Sequence, residues 1–448
     1  MKKTTRVLSA LIPATLLLTA ACGSDEPQTP VNPQPGPGAS GTVAPAGTSV
    51  IYQANPRMFA SQKCLEALRA ELPRIASMGC DVLWIMPVND PGQDKSVGSP
   101  YCIRDFKKVN PRYGDMDDMK ALVAEAHSLG MKVILDWVAN HTAWDHPWIK
   151  SNPERYAKDA AGNIKQASTW TDVAQLDYSQ SSTAEAMKDA MLFWVETAGI
   201  DGFRCDYAEG VPHGFWQDAI REVRRVRPDA LMLAETSRTD FYADGFDMVY
   251  DWNYAPAMSK TFTGGTPASL FDKAAESLTK VPEGKQILRY AFNHDVAAEN
   301  PVDTWFGSPQ GTVAAYTLTA MLGGVPMIYS SMDAEGVRGK QSFFDYRPLS
   351  FSDDLTAKYK AVNEAYRATA DLRGGKLATY ADKDVACFTR TAGDHTLLVM
   401  VNTTGGEATM RTPITLSGDM MTDLLDGAEV RLPASVTLPA YGYIIYKK

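Results

Sequence analysis

Carboxylates, imidazoles and one guanidinium recur in this 448-residue sequence just downstream of short apolar runs. Asp136, Asn140 and His141 follow Val133-Ile134-Leu135, while Arg204 and Asp206 end the segment Gly202-Phe203-Arg204-Cys205-Asp206. Glu235 follows Leu231-Met232-Leu233, and Asn293, His294 and Asp295 follow the run 287–292. Arg204 and Asp206 are two apart, so on a strand they point to the same side. Burying such a pair is costly, which leaves two readings: a structural ion pair closing the strand, or reactive groups held ready. Taken singly, His141 could be a packed loop histidine, Glu235 a helix N-terminal acid and Asp295 a cap. No packing requirement gathers all of them on one rim. Several carboxylates beside a cation are equipment for acid–base and nucleophilic chemistry.

The elements that must carry these residues are legible as alternating strand and helix patterns. Eight strand-like runs stand at 50–53, 82–86, 133–135, 202–206, 231–233, 246–249, 287–292 and 325–329. Between them, Leu65, Leu68, Leu72, Ile75 and Met78 recur at helical spacing before Gly79. Asp115 reads as the N-cap of a helix carrying Met119, Leu122, Val123 and Ala126, closed by Gly130. Further helices are expected at 184–198, 215–225, 267–278 and 312–322. Eight strand–helix repeats predict an α/β fold, a closed (β/α)8 TIM barrel over 49–370. An open doubly wound sheet is the alternative, but no Gly-rich phosphate loop follows any strand. In a barrel, all the residues above fall at the carboxyl ends of strands, where active sites are built. The connection 142–182 carries no clear helix–strand unit and reads as a short insertion after the third strand. From 371 to 448 the pattern turns to alternation, as in Thr396-Leu397-Leu398-Val399-Met400-Val401, and predicts a C-terminal antiparallel β-sandwich.

The amino-terminal residues are of another kind. Lys2, Lys3 and Arg6 precede an apolar run over 7–21 that is too short for a stable span. It ends Leu18-Thr19-Ala20-Ala21-Cys22, which resembles a bacterial lipobox with Cys22 as the lipidated residue. A plain secretory signal cleaved near Ala21 is the alternative. Residues 22–48 are rich in Pro, Gly, Thr, Ser and Ala and read as a tether. Asp25-Glu26 resembles the surface-export signal of Bacteroides-group lipoproteins. A net charge of −9 excludes a nucleic-acid partner. Five cysteines besides Cys22 form neither an even disulfide framework nor a zinc spacing, although Cys64 could pair with Cys80 or Cys102.

Four blocks together resemble the signature regions of the α-amylase family of retaining glycoside hydrolases, family thirteen. They are Asp136-Trp137-Val138-Ala139-Asn140-His141, Gly202 through Asp206, Ala234-Glu235, and Phe292-Asn293-His294-Asp295. The resemblance continues through Asn55-Pro56-Arg57-Met58-Phe59, Pro100-Tyr101, Val325-Pro326-Met327-Ile328-Tyr329 and Tyr441-Gly442-Tyr443, and so covers about 50–448. It implies Asp206 as nucleophile, Glu235 as acid/base and Asp295 as the third carboxylate. It implies that Tyr101, His141, Arg204 and His294 bind substrate, Arg204 by keeping Asp206 ionised. The chemistry so implied needs no cofactor. A structural calcium is known in the family, and of its ligands Asn140 alone is recognisable here. Many α-amylases carry Lys-His three and four residues after the nucleophile, where this chain has Glu209 and Gly210, and Tyr207 is unusual directly after Asp206.

The expectation is therefore a lipoprotein anchored at Cys22 to the outer membrane and facing the cell surface, or alternatively the periplasm. As in Bacteroides-group surface amylases, it would hydrolyse α-1,4 bonds of starch or maltooligosaccharides. Alternatives are a cyclomaltodextrinase, neopullulanase, oligo-α-1,6-glucosidase or glucanotransferase of the same chemistry, and a surface starch-binding protein that retains only the scaffold.

Overall fold

A computed structural model describes residues 49–448. The signal-like segment, Cys22 and the tether lie outside the described residues. Eight parallel strands close a barrel in chain order: β1 (Ile51–Ala54), β2 (Val82–Ile85), β3 (Lys132–Trp137), β4 (Gly202–Cys205), β5 (Leu231–Ala234), β6 (Met248–Tyr250), β7 (Gln286–Tyr290) and β8 (Val325–Tyr329). The seam is the pairing of the first strand with the last, where Ile51 stands opposite Met327. Asp333, just past β8, staples that seam by accepting from Tyr52 Oη at 3.1 Å and Arg74 Nη1 at 2.5 Å.

Both faces of the sheet are buried, which is why its strands read as continuous apolar runs. Trp84, Ile134, Leu233, Tyr250, Leu288 and Met327 fill the barrel interior, while Tyr52, Leu83, Val133, Phe203, Met232 and Ile328 pack outward against the helices. Successive residues alternate between the two faces. Two positions beyond interior residues, that alternation delivers Gln53 after Ile51, Asp136 after Ile134 and Glu235 after Leu233. The candidate site is thus the polar top layer of the barrel's own interior. Gly202 lets β4 lie close against its neighbour; its φ is +143°, and a Cβ there would collide with the Leu231 carbonyl.

The helices around the barrel include Cys64–Ser77, Met116–Ser128, Ser181–Ala198, His213–Val226, Ala268–Leu278 and Pro309–Met321. Asp115 caps the second of these, accepting from the amides of Asp117 and Asp118 at 2.9 and 3.1 Å. A helix absent from the sequence reading, Asp353–Ala368, follows β8, and Arg367 on it reaches Asp81 at 2.7 Å. After β3, the stretch without a clear unit folds as three short antiparallel strands, His141–Ala143, Gln166–Ala167 and Trp170–Gln175. A second excursion, after β2, pairs Asn89–Pro91 with Ile103–Val109 and carries Tyr101 between them. Two- and three-residue strands with shifted register are too short to show a period in sequence.

The carboxyl-terminal region is a six-stranded antiparallel sheet with a second, two-stranded sheet formed by Ala408–Arg411 and Ser435–Leu438. Along its long hairpin, Cys387, Leu398 and Met400 join the sandwich core. The alternate residues Phe388, Val399 and Val401 pack into the core of the barrel. The cysteine expectation is corrected: Cys64, Cys80, Cys102, Cys205 and Cys387 are all buried and free. Cys64 Sγ donates to Ala60 O at 3.0 Å and Cys102 Sγ to Asp172 O at 3.3 Å, so the two thiols are engaged apart.

Candidate active site

Arg204 is the hub of the barrel's upper end and is wholly buried. Its Nη1 donates to Asp136 Oδ1 at 2.7 Å and to Asp206 Oδ1 at 3.0 Å, and its Nε to Tyr250 Oη at 3.1 Å. Nη2 stands 2.7 Å from Glu235 Oε1 without hydrogen-bond alignment, an ion pair rather than a directed bond. The register explains the gathering: Arg204 on β4 lies opposite Asp136 on β3 and Leu233 on β5, and Glu235 is two residues past Leu233. Three carboxylates therefore share one guanidinium.

Asp136 is fully engaged, since its Oδ2 also accepts from Trp84 Nε1 at 3.1 Å and Tyr101 Oη at 3.0 Å. Tyr101 has one hydroxyl proton and gives it to Asp136, so its 2.8 Å contact with His294 Nε2 must be a bond donated by the imidazole. His294 Nδ1 is then bare and accepts from Gln53 Nε2 at 2.8 Å. Burial lowers the pKa of His294 to about 4, so the ring is neutral near neutral pH, as this relay requires. The resemblance implied that Tyr101 binds substrate. Its ring stacks on His294 at 5.5 Å, and it also lines the cleft. His141 is likewise buried, with its pKa lowered to about 4, and its Nδ1 lies 3.2 Å from Asn140 Nδ2.

Asp206 and Glu235, each with 13% of its side chain exposed, are the two hub carboxylates that open to solvent. Burial, only partly offset by Arg204, raises both: Asp206 to about 7 and Glu235 to about 8. The guanidinium holds the two differently. Asp206 takes a directed bond from the guanidinium, whereas the hydrogen bond received by Glu235 comes from the neutral Tyr207 amide, at 2.6 Å to Oε2. The charge-assisted bond favours the ionised form of Asp206, and Glu235 receives no directed bond from the guanidinium. Asp295, half exposed at 54%, stands beside them with Oδ1 3.4 Å from His294 Nε2.

These groups open into a cleft of about 480 Å³. Five of the eight large apolar side chains exposed among the described residues line it: Val97, Trp170, Tyr207, Trp252 and Phe344. Only Tyr207 had been singled out in sequence, as an oddity, and Gln53, Trp170 and Phe343 were not recognised as site residues. Nine tryptophans in the composition were the one available hint. Phe343 packs against Tyr101 and His294 at 5.7 and 5.0 Å.

Asn140 does not fit the calcium role that the resemblance implies. Its side-chain and backbone oxygens both accept from Gln175 Nε2 at 3.0 Å, and Gly210 offers no side chain beside it. Glu209 is bonded to the Thr236 hydroxyl. Among the described residues, no group of three or more His, Cys, Asp or Glu could hold a metal ion.

The model of the α-amylase catalytic domain matches residues 64–172, and that of the maltogenic amylase C-terminal domain matches 377–445. The α-amylase MalA of Haloarcula japonica is 28% identical over 407 residues, covering 85% of this chain and 59% of that relative. A cyclomaltodextrinase of Geobacillus thermopakistaniensis is 24% identical over 420 residues, covering 85% of this chain and 70% of its own. The crystal structure of an α-amylase from Lactobacillus plantarum superposes with a TM-score of 0.79 at 26% identity, over 90% of this chain and 99% of that one. The chain is thus similar over most of its length to proteins of the α-amylase type, while it spans only about half to three fifths of the first of these curated relatives.

Proposed function

We propose that the chain is a retaining α-glucan hydrolase, most simply an α-amylase cutting α-1,4 bonds of starch or maltooligosaccharides. The observation that carries this is the sharing of Arg204 by two solvent-facing carboxyls, of which Asp206 alone takes a directed bond from the guanidinium. Protonated Glu235 donates to the glycosidic oxygen while ionised Asp206 attacks the anomeric carbon, and the aglycone leaves with the Glu235 proton. Glu235, now a carboxylate, takes a proton from water, which displaces Asp206 with a second inversion. His294 and Tyr101, fixed by the relay from Gln53 to Asp136, face the sugar at the cleavage point together with His141, and Asp295 is open to its hydroxyls. Asp136 holds Arg204 from below. No metal enters this scheme.

The test is product analysis on amylose, pullulan and a cyclodextrin side by side, with the first product's anomeric configuration followed by NMR. Products of α configuration from amylose support the reading. Products of β configuration would sink retention, and inert wild-type protein that still binds glucan would favour a starch-binding scaffold. Faster cleavage of the cyclodextrin than of amylose would favour the cyclomaltodextrinase reading, which gains support from the match of the terminal sandwich to a maltogenic amylase domain.

We also propose that Cys22 carries a lipid anchor at the outer surface, the tether lifting the barrel away from it. Several acyl chains hold a membrane stably where one does so only marginally. Cys22→Ala should release or misprocess the enzyme without changing its specific activity. Protease added to intact cells should strip starch digestion; activity seen only after lysis would instead mean a periplasmic face.

A further inference from the structure

Tyr207 departs from its surroundings in two ways at once. Its backbone sits at φ +39° and ψ +53°, a left-handed geometry that side chains other than glycine, Asn and Asp rarely adopt. Its ring is nevertheless 39% exposed rather than packed away. Strain retained at a position where it serves no core points to function. The turn around it is braced from several sides: Glu209 is bonded to Thr236, Trp216 Nε1 donates to Ala208 O at 3.0 Å, and Gly210 N donates to Tyr207 O at 2.9 Å. Gly210 is what admits the ring. A Cβ there would lie 2.5 Å from both the Tyr207 ring and Asn140 Oδ1.

The ring stands edge-on to Trp170, 39% exposed, at a centroid distance of 5.3 Å, and Trp170 in turn lies 5.5 Å from His141. Phe343 marks one wall of the cleft through its contacts with Tyr101 and His294. The run His141–Trp170–Tyr207 leads separately to Glu235, because the Tyr207 amide is the donor to that carboxyl. Glu235 is the acid that faces the oxygen of the departing sugar. Exposed rings beside it fit the apolar face of a pyranose.

Resting on the hydrolase reading above, we propose that Tyr207 and Trp170 form a platform for the sugar on the leaving-group side, and that this platform also receives acceptor sugars. At the glycosyl-enzyme, a hydroxyl of the seated acceptor attacks the anomeric carbon. Its proton passes to the Glu235 carboxylate, the bond to Asp206 breaks, and the electron pair returns to the Asp206 carboxylate. A new glycosidic bond replaces hydrolysis. Tyr207 thus sets how the intermediate divides between water and a sugar.

The experiment compares wild type, Tyr207→Ala, Tyr207→Phe and Trp170→Ala on maltotriose and on α-maltosyl fluoride, with and without added maltose as acceptor. Fluoride departs without a sugar on the platform and without needing a proton. The expected result is a loss for Tyr207→Ala at least tenfold greater in kcat/KM on maltotriose than on the fluoride. Transfer to maltose should fall several-fold relative to hydrolysis, Trp170→Ala should do the same, and Tyr207→Phe should restore both readouts. Equal losses on the two substrates would overturn the proposal, because Tyr207 would then act only by holding Glu235. An unchanged transfer ratio would also overturn it. A wild type that turns over neither substrate overturns the hydrolase reading and the platform with it. Wild-type turnover combined with indifferent variants overturns the platform alone.

Discussion

Two arginines, Arg204 on β4 and Arg289 on β7, are completely buried in the same barrel, and their partners could hardly differ more. Arg289 spends its donors on one carboxylate and on neutral oxygens: Asp251 at 2.9 Å, the carbonyls of Ala274, Leu322 and Gly323 at 2.7 to 3.0 Å, and Ser277 Oγ at 2.8 Å. One positive charge meets one negative charge, and the fork is filled. Arg204 has three carboxylates, with Nη2 poorly aligned. The first arrangement is a structural tie between strand and helices. The second leaves negative charge unbalanced, and protons must make up the difference. A buried arginine is thus not itself a sign of chemistry; surplus carboxylate around it is.

Removing the surplus should produce the largest effect. Asp206→Asn is expected to lower turnover on the order of 10⁴-fold or more while oligosaccharide binding survives, since an amide keeps the shape but forms no covalent intermediate. Glu235→Gln should cost about 10²–10⁴-fold on maltooligosaccharides and much less on a glycosyl fluoride, whose leaving group needs no proton. Steady-state kinetics and calorimetric binding check both. The opposite pattern is expected at the other arginine. Arg289→Met strands Asp251 and should cost about 3–5 kcal/mol of stability, read by denaturant unfolding, while kcat of the folded fraction stays within about threefold. If Arg289→Met instead abolished catalysis in folded protein, the comparison would fail.

A third expectation concerns pH and follows from the sign of the shifts. Asp206 and Glu235 are raised to about 7 and about 8, whereas unfolded carboxyls titrate near 4. Between those values these two groups keep protons in the folded chain that the unfolded chain has released, so their contribution to stability falls as pH climbs from about 4 through about 8, while His141 and His294, lowered to about 4, act in the opposite sense up to about 6.5. The wild-type melting temperature should therefore decline from about pH 6.5 to about 8, where the histidines are neutral in both states and no longer offset the carboxyls, and Glu235→Gln should decline less. Activity should fall above about pH 8, where Glu235 loses the proton it must donate. The smallest effect is expected from a chelator. With Asn140 engaged by Gln175, chelation should shift melting by less than about 1 °C, because removing a ligand destabilises only in proportion to its binding. A large drop would show that other residues complete a cation site.

Asp136 and Glu235 were legible because a parallel barrel turns sequence parity into position. A residue two places past an inward apolar side chain at a strand's carboxyl end must face the same rim. Gln53 obeys the same rule after Ile51, but an uncharged amide gave no chemical signal. Loops have no such parity. Trp170 and Phe343 reach the cleft from segments whose course depends on tertiary contacts, and the left-handed turn at Tyr207 is fixed by Gly210, Thr236 and Trp216 together. Asn140 was legible by position, whereas its bond from Gln175 was not, because that partner lies 35 residues away in the insertion.

The seam between β1 and β8 has a consequence in time. Ile51 must wait for Met327, a separation of 327 − 51 = 276 residues, before its open edge is paired. At synthesis rates of about 5–20 residues per second, that wait is roughly 15 to 55 seconds. For that interval the first strand is a bare β-edge attached to an incomplete cylinder, the kind of surface that other chains add to. Asp333 emerges only six residues after Met327 and bonds Tyr52 and Arg74 on the waiting half. It latches the cylinder almost as soon as closure becomes possible. Chains stopped short of Asp333 should accumulate as aggregates, and full-length chains should not.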